Sequence, residues 1–200
     1  MILNVLAVPA DRPWRSVAEL AAAARARPLS FGTSGVGGAG HLAGEQFNMI
    51  GGMQNTHVPY RGGGPLAADL ASGQIDFAFT PASGARPLAE SGRARMLAVT
   101  TAARSPLLPD VPPLAETPGF AGFDMQDWST LMAPRGLPAP ILEALHRAAT
   151  AALTDPEVVS ALAQRQIQAT PSSPEECAAF LRSETAKWAP VVRASGARPD

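Results

Sequence analysis

The 200-residue sequence predicts an α/β fold whose sheet is rich in parallel strands and covered by helices on both faces. Two observations support this prediction. Up to residue 101, short apolar segments alternate with helix-like segments, and their connections are short and rich in glycine. The apolar segments are rich in Val, Ile, Leu and Phe without strict alternation, which is typical of strands buried on both faces.

The first half of the chain contains recognisable starts and ends of helices. Ser16 and Glu19 have the spacing of a capping box ahead of an Ala-rich helix. Two later helices follow glycine-rich turns, and each ends at a glycine. The predicted strands are 2–8, 28–33, 55–60, 74–80 and 94–101, and the predicted helices lie within 16–26, 39–52, 61–73 and 82–92.

The sequence changes character after residue 101. Five of the residues at 102–122 are proline and no helical period is present, so we expect an extended, structured connector. Asp155 and Ser173 are predicted N-caps, each followed by proline. The remaining predicted elements are strands at 123–134 and 167–170 and amphipathic helices at 138–155, 156–166 and 172–195, the last with Ala178, Leu181 and Trp188 on its apolar face.

Composition excludes several classes of function. The net charge is −1 and no basic block is present, which argues against a nucleic-acid partner. The single cysteine, Cys177, excludes a disulfide framework and a cysteine-based metal site. No apolar run reaches the roughly 18 residues that a membrane-spanning helix requires.

The most informative segment is FGTSGVGGAGHLAGE, residues 31–45, which contains G-x-G-x-x-G between a predicted strand and a predicted helix. Such a turn offers free N–H groups and a positive dipole end to an anion, either a carboxylate or a phosphate. A dinucleotide site also needs an acidic residue after the next strand, where the sequence has HVPYRGGG. Arg61 could hold a 2′-phosphate there, so an NADP site stays open as an alternative. His41 replaces the lysine of a P-loop, which excludes that motif.

We predict no catalytic or metal-binding residues. The sequence lacks the G-x-S-x-G nucleophile elbow, and His41 and His57 are too few to bind a metal without nearby carboxylates. His41 either faces a ligand, forms a hydrogen bond at the helix start, or packs, whereas His57 is interpreted as structural. Tyr60 is either a pocket wall or a core residue. Arg61 is either a carboxylate clamp or a solvated charge, and Trp128 lines a pocket or hinge or packs in the core.

Four segments occur in this order along the chain: FGTSGVGGAGHLAGEQF, HVPYRGGGPLAADLASGQIDFAF, GRARMLAVTTAARSPLLPDVPPLAE and WSTLMAPRGLPAPILEALHRA. Together they resemble the tripartite tricarboxylate transporter substrate-binding proteins, the Bug or TctC-like family, over nearly the whole chain. That resemblance implies a periplasmic-binding-protein type II-like fold, in which two α/β domains close on a small carboxylate. It further implies delivery to membrane permease subunits, with no enzymatic activity and no cofactor.

The resemblance also implies which residues contact the ligand. They belong to three turns that follow predicted strands, and to the segment after the connector. The implied ligand-binding residues are Thr33, Ser34, Gly35, Gly37, His41, Tyr60, Arg61, Gly62, Gly63, Thr80, Pro81 and Trp128.

By the same resemblance, residues 1–9 are a hinge strand and 10–122, including the connector at 102–122, are a complete ligand-binding domain two. Residues 123–200 would be the return strand and C-terminal helices of domain one, which is incomplete. We therefore expect a truncated chain without the N-terminal part of domain one, exposed apolar faces on the helices at 138–166 and 174–195, and weak binding. The family is periplasmic, but the chain as written lacks a signal peptide and would be cytoplasmic if its start is genuine.

The predicted function is therefore an extracytoplasmic solute-binding protein, or a fragment of one, that captures a small carboxylate for a tripartite tricarboxylate-type transporter. Two alternatives remain open. The first is an NADP-dependent oxidoreductase that uses the G-x-G-x-x-G turn, and the second is a carboxylate-sensing regulatory module.

Overall fold

The structure is a computed structural model that describes residues 1–196, which form five strands and seven α-helices. The strands are β1 (Asn4–Pro9), β2 (Ser30–Thr33), β3 (Thr56–Pro59), β4 (Phe77–Pro81) and β5 (Ala94–Val99). The helices are α1 (Val17–Ala26), α2 (Ala39–Gly51), α3 (Gly63–Ser72), α4 (Ala82–Glu90), α5 (Ala139–Thr154), α6 (Pro156–Gln164) and α7 (Pro174–Ser195).

The strands form one mixed sheet in the order β3-β2-β4-β1-β5. β2 runs parallel to both β3 and β4, whereas β1 lies antiparallel between β4 and β5. Four strands therefore share one direction, which confirms a sheet rich in parallel strands. All six residues of β1 are buried, because this strand has a neighbour on each edge and helices over each face.

Helices cover both faces of the sheet, as predicted. On one face, Leu6 and Val8 of β1 belong to a core that also contains residues of α1 and α2. On the other face, Val5 and Ala7 belong to a second core that contains residues of α3 and α4. Successive side chains of a strand point to opposite faces, so β1 contributes to both cores.

Phenylalanine dominates the first core. Six of the seven phenylalanines are fully buried in it. Phe47 of α2 stacks on Phe120 with 5.0 Å between ring centroids, and Phe79 of β4 stacks on Phe123 at 6.2 Å. The proline-rich segment at 102–122, which contains a short 3-10 helix at Leu114–Glu116, is therefore a packed part of this core and not a free linker.

The predictions of strands at 123–134 and 167–170 are wrong. Each segment forms a single bridge to Ile2, through Asp127 and Ile167 respectively. Ile2 precedes β1, and the backbone hydrogen bonds around its bridges join Ile2 to Asp127, Leu3 to Gln166 and Met1 to Gln168. One bridge does not extend into a strand.

The C-terminal helices differ in how they pack. No residue of α5 or α6 is buried, and Ile141 and Leu145 are 49% and 48% exposed. In contrast, α7 packs against α2, and its Trp188 lies partly buried against the first core. The division of the chain at residue 122 stays a prediction. None of the helices within residues 1–196 is both long and apolar enough to cross a membrane.

A buried pair of amides ties α2 to the start of β3. The Asn48 Oδ1 accepts hydrogen bonds from the backbone N and the Nδ2 of Asn55, and Asn48 Nδ2 donates to the Asn55 carbonyl. Asn48→Leu would leave these Asn55 groups buried without partners, so we expect the free energy of unfolding to fall by about 2 kcal/mol. Urea denaturation measures this change. Met49→Leu, at a 50% exposed neighbour, is the control, and an equal effect of both variants would contradict the prediction.

Candidate anion-binding site

Three helices begin at one edge of the sheet. β3, β2 and β4 are parallel neighbours, and they are followed along the chain by α3, α2 and α4 respectively. The carboxyl ends of parallel strands meet at the same edge, so the starts of these three helices converge there. The three turns predicted from the sequence to bind a ligand are therefore brought together by the fold.

The helix starts at this edge lack side-chain caps. The N-caps of α2, α3 and α4 are Gly38, Gly62 and Pro81, which offer no capping hydrogen bond, and their first turns contain no acidic residue. Helix α5 is also uncapped, but no strand leads into it. Apart from the N–H of Ala82, which donates to the Leu3 carbonyl, the first N–H groups of these helices are therefore left for an external acceptor, and the helix dipoles favour an anion.

Three helices elsewhere in the molecule are capped. Ser16, Asp155 and Ser173 accept hydrogen bonds from the first turns of α1, α6 and α7, as the sequence predicted. The capping box is complete at Ser173, whereas Glu19 of α1 accepts from the backbone N of Arg15 and not from that of Ser16. Each of these three helices also has a glutamate in its first turn. The absence of caps and of first-turn acids therefore distinguishes the three helix starts at the sheet edge from those of α1, α6 and α7.

The first glycine turn is held by side chains behind it. Thr33 is 1% exposed, and its Oγ1 donates a hydrogen bond to the Gly35 carbonyl over 2.9 Å. The same oxygen lies 2.6 Å from Nε2 of His57, and the N–H of Gly37 donates to Nδ1 of His41 over 3.1 Å. Because the single hydroxyl hydrogen of Thr33 is engaged, this residue shapes the turn, while Ser34 is exposed on it.

The two histidines stack on one another, with 3.9 Å between ring centroids and 15° between planes. Burial lowers the pKa of His41, and burial together with the charge of His41 lowers the pKa of His57 to about 4. Both rings are therefore neutral at neutral pH. Sequence reasoning missed the contact of His57 with the turn. The available signal was its place on β3, two residues before Pro59, which pairs with Thr33.

The third glycine of the motif permits close packing of helix on strand. A Cβ at Gly40 would lie 2.6 Å from the Phe79 carbonyl oxygen and 3.4 Å from the Cβ of Thr33. The first turn of α2 therefore lies directly on β4 and β2. This packing explains the glycine at position 40, and the left-handed conformation at φ +75° explains Gly37. The G-x-G-x-x-G match therefore needs no bound nucleotide to explain it.

The second turn presents a free cation beside a glycine. Arg61 is exposed, and within residues 1–196 it forms no ion pair. Gly62 has φ +100° and Gly63 begins α3. The Tyr60 hydroxyl donates to Asp69 Oδ2 over 2.7 Å, and burial and that carboxylate raise the pKa of Tyr60 to about 12. Because its ring packs on the second core, Tyr60 supports the turn from inside.

The other predicted contacts lie on either side of the first turn. Thr80 is buried at the end of β4, and Pro81 precedes α4. Trp128 lines a half-open cavity of about 200 Å³ beside Ala39, the first residue of α2. Its ring also meets Phe180 edge to face, with 5.5 Å between centroids. The structure thus places Trp128 near the start of α2. Within the described residues, no three His, Cys, Asp or Glu side chains are arranged to hold a metal.

Solved structures define the class of protein. The whole chain superposes on the structure described as "R. palustris Rpa4515 with adipate" with a TM-score of 0.87 and 35% identity, covering 67% of that chain. It also superposes on MatC (Rpa3494) from Rhodopseudomonas palustris with bound malate, with a TM-score of 0.80 and 26% identity over 96% of this chain and 66% of that one. The fold is that of the TctC and Bug periplasmic binding proteins.

The family follows from the sequence match. Residues 2–197 match the tripartite tricarboxylate transporter family receptor, and the chain belongs to this family. The "UPF0065 protein in tcbD-tcbE intergenic region" of Pseudomonas sp. (strain P51) is 37% identical over 191 residues. That alignment covers 94% of this chain and 57% of the relative, so the chain spans little more than half of that protein's length.

Proposed function

We propose that this chain is a periplasmic solute-binding receptor, and not an enzyme, that captures a small carboxylate for a tripartite tricarboxylate-type transporter. The observation that carries the proposal is the set of uncapped helix starts of α2, α3 and α4 at one edge of the sheet. Their N–H groups and the exposed guanidinium of Arg61 are suited to a carboxylate. The membrane permease subunits would be its partners.

Two similar structures support this class of ligand, since their descriptions name adipate and malate. Both are small dicarboxylates. The contact residues that we propose in this chain are the backbone of Ser34 to Gly38, in which the Gly37 N–H is already bound to His41, the start of α3 at Gly62 and Gly63, Arg61, and the start of α4 at Ser83 and Gly84. In this proposal, Thr33, His41 and Tyr60 hold the turns in shape, and Trp128 borders the site.

The two alternative functions have less support. An NADP-dependent oxidoreductase would bind phosphate at the same turn, but the family match is to receptors and not to dehydrogenases. A carboxylate-sensing module would use the same edge, and the family match favours transport over sensing. Neither alternative explains the helix starts better than carboxylate capture does.

An NMR titration of the ¹⁵N-labelled chain tests the proposal, because it detects weak and tight binding alike. Adipate, malate and NADPH are added separately. We expect a dicarboxylate to shift the amide signals of residues 34–38 and 61–63, and NADPH to leave them unchanged. Shifts with NADPH alone would support the oxidoreductase, and no shift at these amides with either dicarboxylate would overturn the proposed site.

Arg61→Gln provides a test of the second turn. Removing an exposed, unpaired cation that faces a carboxylate should raise the dissociation constant about threefold to fivefold, which corresponds to roughly 1 kcal/mol. Arg135→Gln is the matched control, because Arg135 is also exposed but lies outside the three turns. The same titration compares the two variants. If both bind as the wild type does, Arg61 is a solvated charge and not a ligand contact.

A further inference from the structure

His41, which is buried, and His57, which is partly buried, form a pair between α2 and β3, immediately behind the first glycine turn. His57 stacks on His41 at 3.9 Å and on Phe31 at 5.0 Å between ring centroids. His57 contacts the turn through Thr33, and His41 contacts it through Gly37. Both ends of the turn are therefore held by imidazoles, although neither ring needs to touch a ligand.

The hydrogen-bond partners assign the protonation state of each ring. The Thr33 hydroxyl donates to Gly35, so its oxygen accepts from the Nε2–H of His57. The N–H of Gly37 donates to Nδ1 of His41, so that nitrogen carries no hydrogen. The hydrogen of His41 is then on Nε2, 3.7 Å from Oε1 of Glu45. In this arrangement both rings are neutral and carry hydrogen on Nε2.

Few groups can compensate a charge on the pair. From α2, Glu45 faces His41, and burial raises the pKa of the Glu45 carboxyl despite its hydrogen bond with Asn48. From β2, Phe31 and Thr33 bring no charge. From β3, His57 itself is the neighbour. Among the described residues, Glu45 is therefore the one carboxylate in contact with the pair, and it lies beside His41.

Protonation would release the turn. The free nitrogen of His41 is Nδ1, and a proton there replaces the acceptor of the Gly37 N–H with a second donor. A proton on His57 would place a charge against His41 at 3.9 Å, so the pair accepts at most one proton readily. A proton on His41 therefore removes the hydrogen bond from Gly37. A proton on His57 keeps the Nε2–H bond to Thr33 and opposes the native geometry only through the cost of placing its charge in the stack.

The direction of the pH effect follows from the lowered pKa values. The pKa of His57 falls from the ordinary 6.5 to about 4, and that of His41 is also lowered. When the turn is released, the two imidazoles therefore take up a proton more readily than they do in the native structure. The native turn is fully favoured above pH 6.5, and this advantage is lost as the pH falls from 6.5 towards 4.

We propose that the His41–His57 pair is a pH-sensitive positioning element, which holds the first glycine turn ready for a carboxylate only while both rings are neutral. This inference rests on the proposed function. A bound carboxylate would itself attract a proton to the pair, which would strengthen binding in acid. We expect the loss of the turn to outweigh this attraction, because charges near a wet surface are strongly screened. Acidification then releases the ligand.

Two double variants of identical composition test the proposal. In the matched variant, H41N places an amide oxygen where Nδ1 accepts from Gly37, and H57Q places an amide nitrogen where Nε2 donates to Thr33. Neither amide titrates near neutral pH. In the swapped variant, H41Q and H57N misplace both groups. Thermal unfolding of each variant checks that it folds.

Binding of adipate is measured from about pH 7.5 to about pH 5, and each dissociation constant is divided by that of the matched variant, which cancels the titration of the ligand. The matched variant should bind more tightly than the swapped variant at neutral pH, because it keeps both hydrogen bonds to the turn. At the acid end, the affinity of the wild type for adipate should fall about tenfold relative to that of the matched variant. The swapped variant should bind poorly at every pH. The proposal would be overturned if the ratio of the wild-type to the matched-variant dissociation constant did not change with pH, or if this ratio fell in acid.

A ligand-free measurement separates this inference from the proposed function. The ¹⁵N signals of the imidazoles report which nitrogen carries hydrogen, with His146 on α5 as the internal reference. We expect both rings of the pair to carry hydrogen on Nε2 at neutral pH, and the Gly37 amide signal to follow their titration. If no carboxylate binds but this coupling is present, only the proposed function fails. If His41 carries its hydrogen on Nδ1, or Gly37 ignores the titration, the positioning role fails.

Discussion

Gly37→Val is expected to weaken carboxylate binding at least about tenfold while the rest of the fold is retained. Gly37 has φ +75°, a conformation that costs a residue with a side chain about 1–2 kcal/mol and a β-branched one more. Valine would therefore move the turn to another conformation, in which the N–H at this position no longer points at Nδ1 of His41. The N–H groups at the start of α2 would lose their common direction.

The effect should be confined to the turn. No atom lies within 4 Å of a Cβ built on Gly37, so valine meets no steric obstacle in the core. Val36→Ala is the matched control, because Val36 is 50% exposed on the same turn and needs no unusual backbone conformation. The NMR titration measures binding, and thermal unfolding measures the fold. Unchanged binding by Gly37→Val would show that this turn is not the site.

Local sequence patterns were sufficient for most of the elements. The capping residues Ser16, Asp155 and Ser173 mark helix starts with a chemistry that acts within one turn, and the structure has these helices. The direction of β1 relative to its neighbours could not be predicted from local patterns. Its residues read as a buried strand whichever way it runs, and the antiparallel pairing to β4 and β5 is fixed by contacts more than 70 residues apart in sequence.

The failed prediction at 123–134 has the same cause. Its residues have a strand-like composition, but a strand requires a free edge of several residues. In this fold the segment forms one bridge, between Asp127 and Ile2. Phe123 and Met125 are instead buried in the first core. Strand propensity therefore shows that a segment is suited to a sheet, but a strand forms only where a neighbouring strand has an unpaired edge.

The candidate site was predicted at the level of turns, and less well at the level of side chains. Glycine-rich turns after strands indicate which backbone faces a ligand, because topology brings the strand ends together. The partners of Thr33 and Tyr60 are set by tertiary packing. His57, the partner of Thr33, lies on the neighbouring strand β3, and Asp69, the partner of Tyr60, lies on helix α3. A sequence shows that these hydroxyls stand beside a turn, but not that their hydrogens are already engaged.

Phe47→Ala is expected to have the largest effect on stability, a loss of about 3–5 kcal/mol in the free energy of unfolding. Phe47 is completely buried and lies at the centre of the aromatic core. It meets Phe77 and Phe79 edge to face at 5.8 and 5.9 Å and stacks on Phe120 at 5.0 Å. Alanine would leave a cavity that these rings cannot fill, because they are themselves fixed by β4 and by the connector.

The matched control is Phe180→Ala. Phe180 lies on α7, is only partly buried, and contacts the ring of Trp128. Its removal should cost about 1 kcal/mol or less, because it lacks the enclosed contacts of Phe47. Urea denaturation of both variants, with comparison of the m values, separates a loss of stability from a change in compactness. Equal costs would show that the phenylalanine core is not the centre of stability.

Phe47 also connects stability to the candidate site. Helix α2 lies on the sheet at its start through the close approach of Gly40 to Phe79 and at its middle through Phe47. If the contacts of Phe47 are lost, the start of the helix is held less firmly. We therefore expect Phe47→Ala to weaken carboxylate binding even at temperatures where the variant is fully folded. Wild-type affinity in folded Phe47→Ala would show that the other contacts of α2 are sufficient to position the turn.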